Sequence, residues 1–243
     1  MLGGGRALLM QLAHPGVAAG VAEHSDFRQR PVARLLRTLE LTLALTFGTR
    51  DEALAAAHQI NVVHQRVRGP GYSATDPRLL LWVHATLIDS ALVTYGAFVR
   101  PLARAEQEAY YREAKLVGGL LGLAHSRYPR GLAEFEAYLR DMVGGPELMV
   151  DARARELAGA VLRPPLRRVP GPAFLPVQTV TAGLLPPRLR LDYGLRWGRA
   201  ERLGFAALRR GLPLAIRLVP QRFREVPPAR RARQTSTLSG RTR

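Results

Sequence analysis

The chain of 243 residues contains no cysteine. That absence removes disulfides, iron–sulfur clusters, thiolate zinc sites and covalent c-type haem attachment at once. Lysine is almost missing too: of 36 basic residues, only Lys115 is not an arginine. In a chain rich in Ala, Gly, Leu, Arg and Pro, this bias reads as GC-rich coding rather than as phosphate recognition. Acidic residues thin out along the sequence. Residues 1–150 carry 16 basic and 14 acidic side chains and residues 151–243 carry 20 and 5, so +15 of the net charge of +17 sits in the C-terminal third. There is no HExxH, no GxSxG, no P-loop and no placed GxGxxG, which excludes the commonest zinc-hydrolase, serine-hydrolase and nucleotide-binding plans. Strand-like alternation never persists for more than a few residues, so the expected class is all-α, a single-domain helical bundle.

What is present supports that class. At 47% hydrophobic the chain is long enough for one sizeable core. Pro15 after His14 forces a break in the first helical segment, and His14 is placed to cap it. Pro31 opens a helix in which Leu35, Leu36, Leu39, Leu41, Leu43 and Leu45 leave little polar circumference, so this helix is expected in the middle of the domain. Thr49-Arg50-Asp51-Glu52 is a capping box for the next helix, which Gly69-Pro70-Gly71 ends. Asp76-Pro77 starts a helix to about Val99. It is long enough to cross a bilayer, but His84 and Asp89 in its middle make it a buried core helix. Asp89, five residues on, is too far round to orient His84. Further helices follow at 106–124, 129–142, 147–162 and 184–211, with a proline-rich connection at 163–178. The domain is expected over residues 1–228, and the Arg-rich stretch 229–243 is expected to be a disordered tail.

The stretch from Pro31 to Gly69 sets polar groups among apolar ones. Arg34 and Thr38 are i and i+4, Arg37 stands on an adjoining line, and His64 and Arg68 are again i and i+4. If the two faces meet, they enclose an imidazole, guanidinium groups and a hydroxyl in an apolar setting. Such a pocket suits a planar, iron-bearing, doubly anionic cofactor. Imidazole is a competent axial ligand, arginine binds buried carboxylates with a planar fork, and a Thr hydroxyl can donate to dioxygen. His58 lies six residues before His64 and faces away from it.

Several ordered blocks carry a resemblance: RALLMQLAHPGVAAGVAEHSDF, RLLRTLELTLALTFG, INVVHQRVRGPGYSATDPRLLLWVHATLIDSALVTYGAFV and LPLAIRLVPQRFREVPPARRAR. From about Arg6 to about Arg231 the chain resembles the family of haem-dependent oxygenase domains that includes bacterial latex-clearing rubber oxygenases and the fungal oxygenase of mycophenolic acid biosynthesis. The resemblance implies an all-helical protein that binds haem b through a histidine and uses dioxygen to cleave carbon–carbon double bonds in a hydrophobic, isoprenoid substrate. The Arg-x-x-Lys-Thr arrangement of rubber oxygenases matches Arg34, Arg37 and Thr38, with Arg in place of Lys, and the proximal histidine matches His64. His84, in the block WVHAT, is the alternative iron ligand. The resemblance thus assigns Arg34, Arg37 and Thr38 to the reaction and His64, Arg34 and Arg37 to the cofactor, and the i, i+4 spacing from His64 adds Arg68 to the cofactor-binding set. The family's distal glutamate has no counterpart here, because Glu23 stands too close to Arg34.

The first fifteen residues make no persuasive signal peptide, so a cytoplasmic protein is expected, and the early entry into the first block suggests a start upstream of Met1. A second class of reading takes the protein as non-catalytic, its basic C-terminal third binding an anionic membrane surface or nucleic acid. No nucleic-acid-binding module or aromatic-basic interleaving is found, so specific nucleic-acid recognition is not expected.

Overall fold

The computed structural model describes residues 2–24, 31–163 and 170–220, the side chains of 31–35, 171 and 172 excepted. The Arg34 side chain and the tail from 229 therefore lie outside the described residues. Among the described residues the fold is helical, with one two-stranded ribbon.

Proline punctuation sets the early elements. α1 (Gly4–Leu12) and α2 (Pro15–His24) are separated at Pro15, whose ring nitrogen has no proton to give. His14 Nδ1 accepts from the Gly16 N–H at 3.1 Å and so caps the new helix, as the sequence suggests. α3 (Pro31–Phe47) begins on its proline. α4 (Arg50–Arg66) begins on the expected capping box: the Glu52 N–H donates to Thr49 Oγ1 at 3.3 Å and the Thr49 N–H to Glu52 Oε2 at 2.8 Å. Such a cap stabilises a helix start by about 1 kcal/mol.

The chain then turns through β1 (Arg68–Gly69) and β2 (Tyr72–Ser73), an antiparallel pair in which Arg68 faces Ser73. Gly71 at φ +77° supplies the left-handed residue of the turn, where a side chain would be strained. Asp76 caps α5 (Pro77–Phe98) by accepting from the Arg78 N–H at 2.8 Å. α6 (Arg104–Leu120), α7 (Leu132–Gly144), α8 (Ala152–Leu162), α9 (Leu175–Leu184), α10 (Pro187–Asp192) and α11 (Arg199–Leu218) follow. Residues 147–151 precede α8 rather than joining it, because Asp151 is its N-cap and accepts from the Ala154 N–H at 2.7 Å. The stretch read as one helix from 184 to 211 is divided: Pro186 and Pro187 open a new helix and Gly194 takes φ +66°.

α1 is the hub, packing on α2, α5, α8 and α9. Leu9 and Met10 of α1, Trp82 and Ile88 of α5, Tyr111 of α6, Phe135 of α7, Leu157 of α8 and Leu189 of α10 belong to the main core. Burial of such side chains, about 1.5 to 3 kcal/mol each, is the principal term favouring the fold. Among the described residues two basic side chains are buried, Lys115 of α6 and Arg6 of α1. Arg6, 4% exposed, donates from Nε to the Leu184 carbonyl at 2.7 Å, from one terminal nitrogen to Ser90 Oγ at 2.8 Å and from the other to Asp89 Oδ2 at 2.6 Å. Asp89 thus serves Arg6. By length and composition α5 could cross a membrane, but Trp82, His84, Ala85, Thr86, Ile88 and Ser90 are buried in this fold.

α3 departs from the sequence expectation of a central helix. It packs along α4, and Leu36 is 57% exposed and Phe47 39% exposed. The leucines at 35, 36, 39, 41, 43 and 45 spread around the helix rather than along one line. No single neighbour can cover such a surface.

Candidate functional site

The two histidines singled out by sequence sit in different settings. His64 lies on the inner face of α4, one turn beyond Asn61, whose Nδ2 donates to the Leu120 carbonyl at 3.0 Å and so ties that face to the end of α6. His64 Nδ1 is buried and has no hydrogen-bond partner among the described residues. Burial holds the imidazole below its ordinary pKa, so it is neutral at pH 7. His58 is exposed on the other side of α4, as its spacing predicts.

His84 is buried on α5 at 7% exposure, and its Nδ1 meets the Tyr128 hydroxyl at 2.5 Å. The rings stand edge to face, 5.7 Å between centroids. Burial pushes His84 down to about 4 and pushes the Tyr128 hydroxyl up, so both are neutral near pH 7. Two tautomers satisfy this contact. When Nδ1–H donates to the phenolic oxygen, Nε2 keeps a lone pair for a metal; when the hydroxyl donates to Nδ1, Nε2 carries the proton. Gly118 of α6 is buried beside them, and a methyl group there would overlap the Tyr128 hydroxyl. A sequence reading has no way to find Tyr128, which is 44 residues from His84. Only the possibility of close approach at Gly118 and Gly119 is visible.

A depressed histidine pKa makes stability depend on pH in one direction. The unfolded chain takes up the proton near 6.5 and the native site resists it to about 4. Stability contributed by neutral His84 is therefore complete above pH 6.5 and is lost as pH falls through that window. Lowering pH from 7 to 5 is expected to cost about 2 kcal/mol through this one group. Urea unfolding of wild type and His84→Gln at the two pH values checks this: the difference should shrink in the variant. An equal loss in both proteins would place the acid sensitivity elsewhere.

The cations do not gather around either imidazole as an enclosed set. Arg37 and Thr38 are exposed on α3, contrary to the pocket that the spacing suggested, because α3 has α4 as its neighbour and presents these positions to solvent. Arg68 does not extend the His64 face either. α4 ends at Arg66, Val67 turns extended at φ −85° and ψ 92°, and Arg68 is exposed in β1. The Gly69-Pro70-Gly71 stop acts a residue or two earlier than the i, i+4 reading assumed. Glu23 accepts from the Tyr72 hydroxyl at 2.6 Å and pairs with Arg153 at 3.5 Å, both fixing α2 to its neighbours.

Two cavities lie away from these histidines. One of about 320 Å³ is bordered by Asp89, Leu92, Gln107 and Phe135. The other, of about 510 Å³, is lined by Leu162, Leu175, Ala182 and Leu195, with Arg155 and Arg196 at its sides. Neither His64 nor His84 lines them. No group of three or more His, Asp or Glu side chains close enough to share a metal ion occurs among the described residues. The donors these residues offer are two neutral imidazoles, His64 with an unpartnered Nδ1 and His84 bonded to Tyr128. A neutral imidazole is a competent ligand to haem iron, so either residue fits that group.

Comparison with known proteins adds the following. Residues 1–214 match the family described as ER-bound oxygenase mpaB/B'/rubber oxygenase, catalytic domain. The match ends inside α11, so the late block beginning at Leu212 lies almost wholly beyond it. An uncharacterized protein of Mycobacterium bovis and one of Mycobacterium tuberculosis are each 33% identical over 233 residues, covering 88% of this chain and 88% of theirs. No solved structure matches.

Proposed function

The chain belongs to the family of the ER-bound oxygenase mpaB/B' and rubber oxygenase catalytic domain, and from that premise we propose that it is a haem b-dependent oxygenase that uses dioxygen on a hydrophobic small molecule. The substrate class proposed is an isoprenoid chain with carbon–carbon double bonds. The observation that carries the reading is the buried, unpartnered Nδ1 of His64. An unsatisfied buried nitrogen costs about 1 to 3 kcal/mol, and a bound metal would remove that penalty.

His64 is proposed as the residue that would hold the haem iron. Its neutral state at pH 7 leaves a lone pair available without displacing a proton. Arg34, Arg37 and Arg68 are proposed to hold the cofactor's carboxylates. Exposed as they are, Arg37 and Arg68 would pair with such carboxylates at the protein surface. Thr38 is proposed as a hydroxyl donor toward dioxygen. When bound, haem would supply the one-electron chemistry that activates dioxygen. A cytoplasmic location is proposed with it.

His84 forms the second reading, favoured by its bond to Tyr128: a second hydrogen bond fixing the ring is what metal-binding histidines ordinarily have. The absorption spectrum of the full chain expressed with a haem precursor decides between them. Wild type is expected to show the porphyrin band, His64→Ala to lose it and His84→Ala to keep it. Loss in His84→Ala alone moves the ligand to His84, and a colourless wild type after haem supply overturns the proposal.

A further inference from the structure

α11 carries two apolar lines rather than one. Phe205, Leu208 and Leu212 pack on a satellite core with Phe98, Val180 and Leu184. At 100° per residue, Leu214 lies about 180° from Phe205, and Leu203, Ala207 and Leu218 fall near the same line. The three leucines of this outer line are 72%, 60% and 86% exposed at positions 203, 214 and 218. A helix that needed only to cover the core would leave polar residues there. At the same 100° per residue, Arg210, Arg199 and Arg217 lie about 40° to 60° to one side of this line, whereas Arg202 and Arg209 lie nearer the core-facing line; all five are exposed. Its one acid, Glu201, is occupied at the helix start, accepting from the Gly198 N–H at 2.7 Å. Beyond residue 220 the sequence adds seven arginines and one glutamate.

From this arrangement we propose that the outer face of α11 is a docking surface for an anionic lipid bilayer. A helix with leucines on one line and arginines beside it lies in the headgroup plane. Its apolar side chains reach the acyl boundary and its guanidinium groups meet lipid phosphates. Each arginine near an anionic surface contributes about 1 kcal/mol. A second copy of the chain is the poorer occupant, because a face-to-face pair would bring the same arginines together with no carboxylates to meet them. Nucleic acid leaves the leucines without a role, since phosphate binding needs charge alone. The inference stands apart from the oxygenase reading, as none of these residues belongs to the histidine sites.

Co-sedimentation of the full-length protein with vesicles tests it. The probes are vesicles of equal parts phosphatidylglycerol and phosphatidylcholine, and vesicles of phosphatidylcholine alone, each at about 50 and 500 mM salt. Binding to the anionic vesicles at low salt, weakened severalfold or more at high salt, is expected. The variant Leu203→Ser/Leu214→Ser/Leu218→Ser should bind at least about tenfold more weakly while keeping the wild-type helical signal and unfolding midpoint, because these side chains touch solvent. Arg199→Gln/Arg210→Gln should lose affinity for anionic vesicles only. Absence of binding to either vesicle overturns the proposal, as does unchanged binding by the serine variant. A concentration-dependent dimer that the serine substitutions abolish would assign the face to a second copy instead and would equally overturn it.

Discussion

Arg6→Ala is expected to lower the free energy of unfolding by about 3 to 5 kcal/mol, the range for removing one partner of a buried pair. The arginine is almost wholly buried and each of its three donors has a fixed acceptor: the Leu184 carbonyl, Ser90 Oγ and Asp89 Oδ2. Removing it leaves the partly exposed Asp89 carboxylate without its cation, and the Leu184 carbonyl and the Ser90 hydroxyl without their donor. The cost therefore exceeds that of the exposed Arg100–Glu106 and Arg104–Glu136 pairs, whose loss should fall within about 1 kcal/mol. Urea unfolding at pH 7 measures the difference. Arg6→Met with Asp89→Leu should recover much of the loss, because a buried pair is replaceable by apolar groups when both partners go. A loss below about 1 kcal/mol in the single variant would show that the pair behaves as a surface pair.

Gly118→Ala is expected to destabilise by about 3 kcal/mol, at the upper end of the cost of overpacking. The added methyl overlaps the Tyr128 hydroxyl and approaches the ring carbon bearing it and His84 Nδ1. Tyr128 cannot swing away cheaply, being buried and bonded to His84. The helix propensity of alanine returns only about 1 kcal/mol. Tyr128→Phe frees the volume of the hydroxyl, so the double variant Gly118→Ala/Tyr128→Phe should lose less than the sum of the two single changes. A strictly additive pair measured by urea unfolding would deny that the three residues are in contact. The same pair bears on the ligand question. If His84 holds iron, Tyr128→Phe weakens haem retention by removing the ring's orienting bond, whereas if His64 holds it, retention is unaffected.

Local chemistry made much of the fold legible and left the site largely hidden. Pro15, Pro31, the Thr49–Glu52 box and Asp76-Pro77 each act within four residues of themselves, so their consequences were visible without tertiary information. The burial of α5 followed from the awkwardness of His84 and Asp89 in a membrane. The environment of α3 did not follow, because six leucines say that a helix is apolar and nothing about which neighbour reaches it. The i, i+4 link between His64 and Arg68 failed for a related reason: it assumed a helix two residues longer than the glycine-proline stop allows. Arg6 and Tyr128, whose partners lie far off in sequence, carried no local signal, and an arginine in the first apolar block gives no hint that it sits at the centre of the protein. His64 is singled out by residue type and resemblance together, and the structure adds the burial of its unpartnered nitrogen.

The position of α1 has a consequence for how a newly made chain acquires its shape. Arg6 finds its carbonyl acceptor 178 residues downstream, and the Leu9 carbonyl accepts from the Tyr193 hydroxyl 184 residues downstream. α1 therefore emerges well before Leu184 and Tyr193 during synthesis and waits for these late partners. Its exposed leucines and methionine meanwhile need shielding, and premature release after α8 would leave a cation and an apolar surface with nothing to close over them. Assembly of this fold is thus a late, collective event rather than a stepwise one beginning at the amino end.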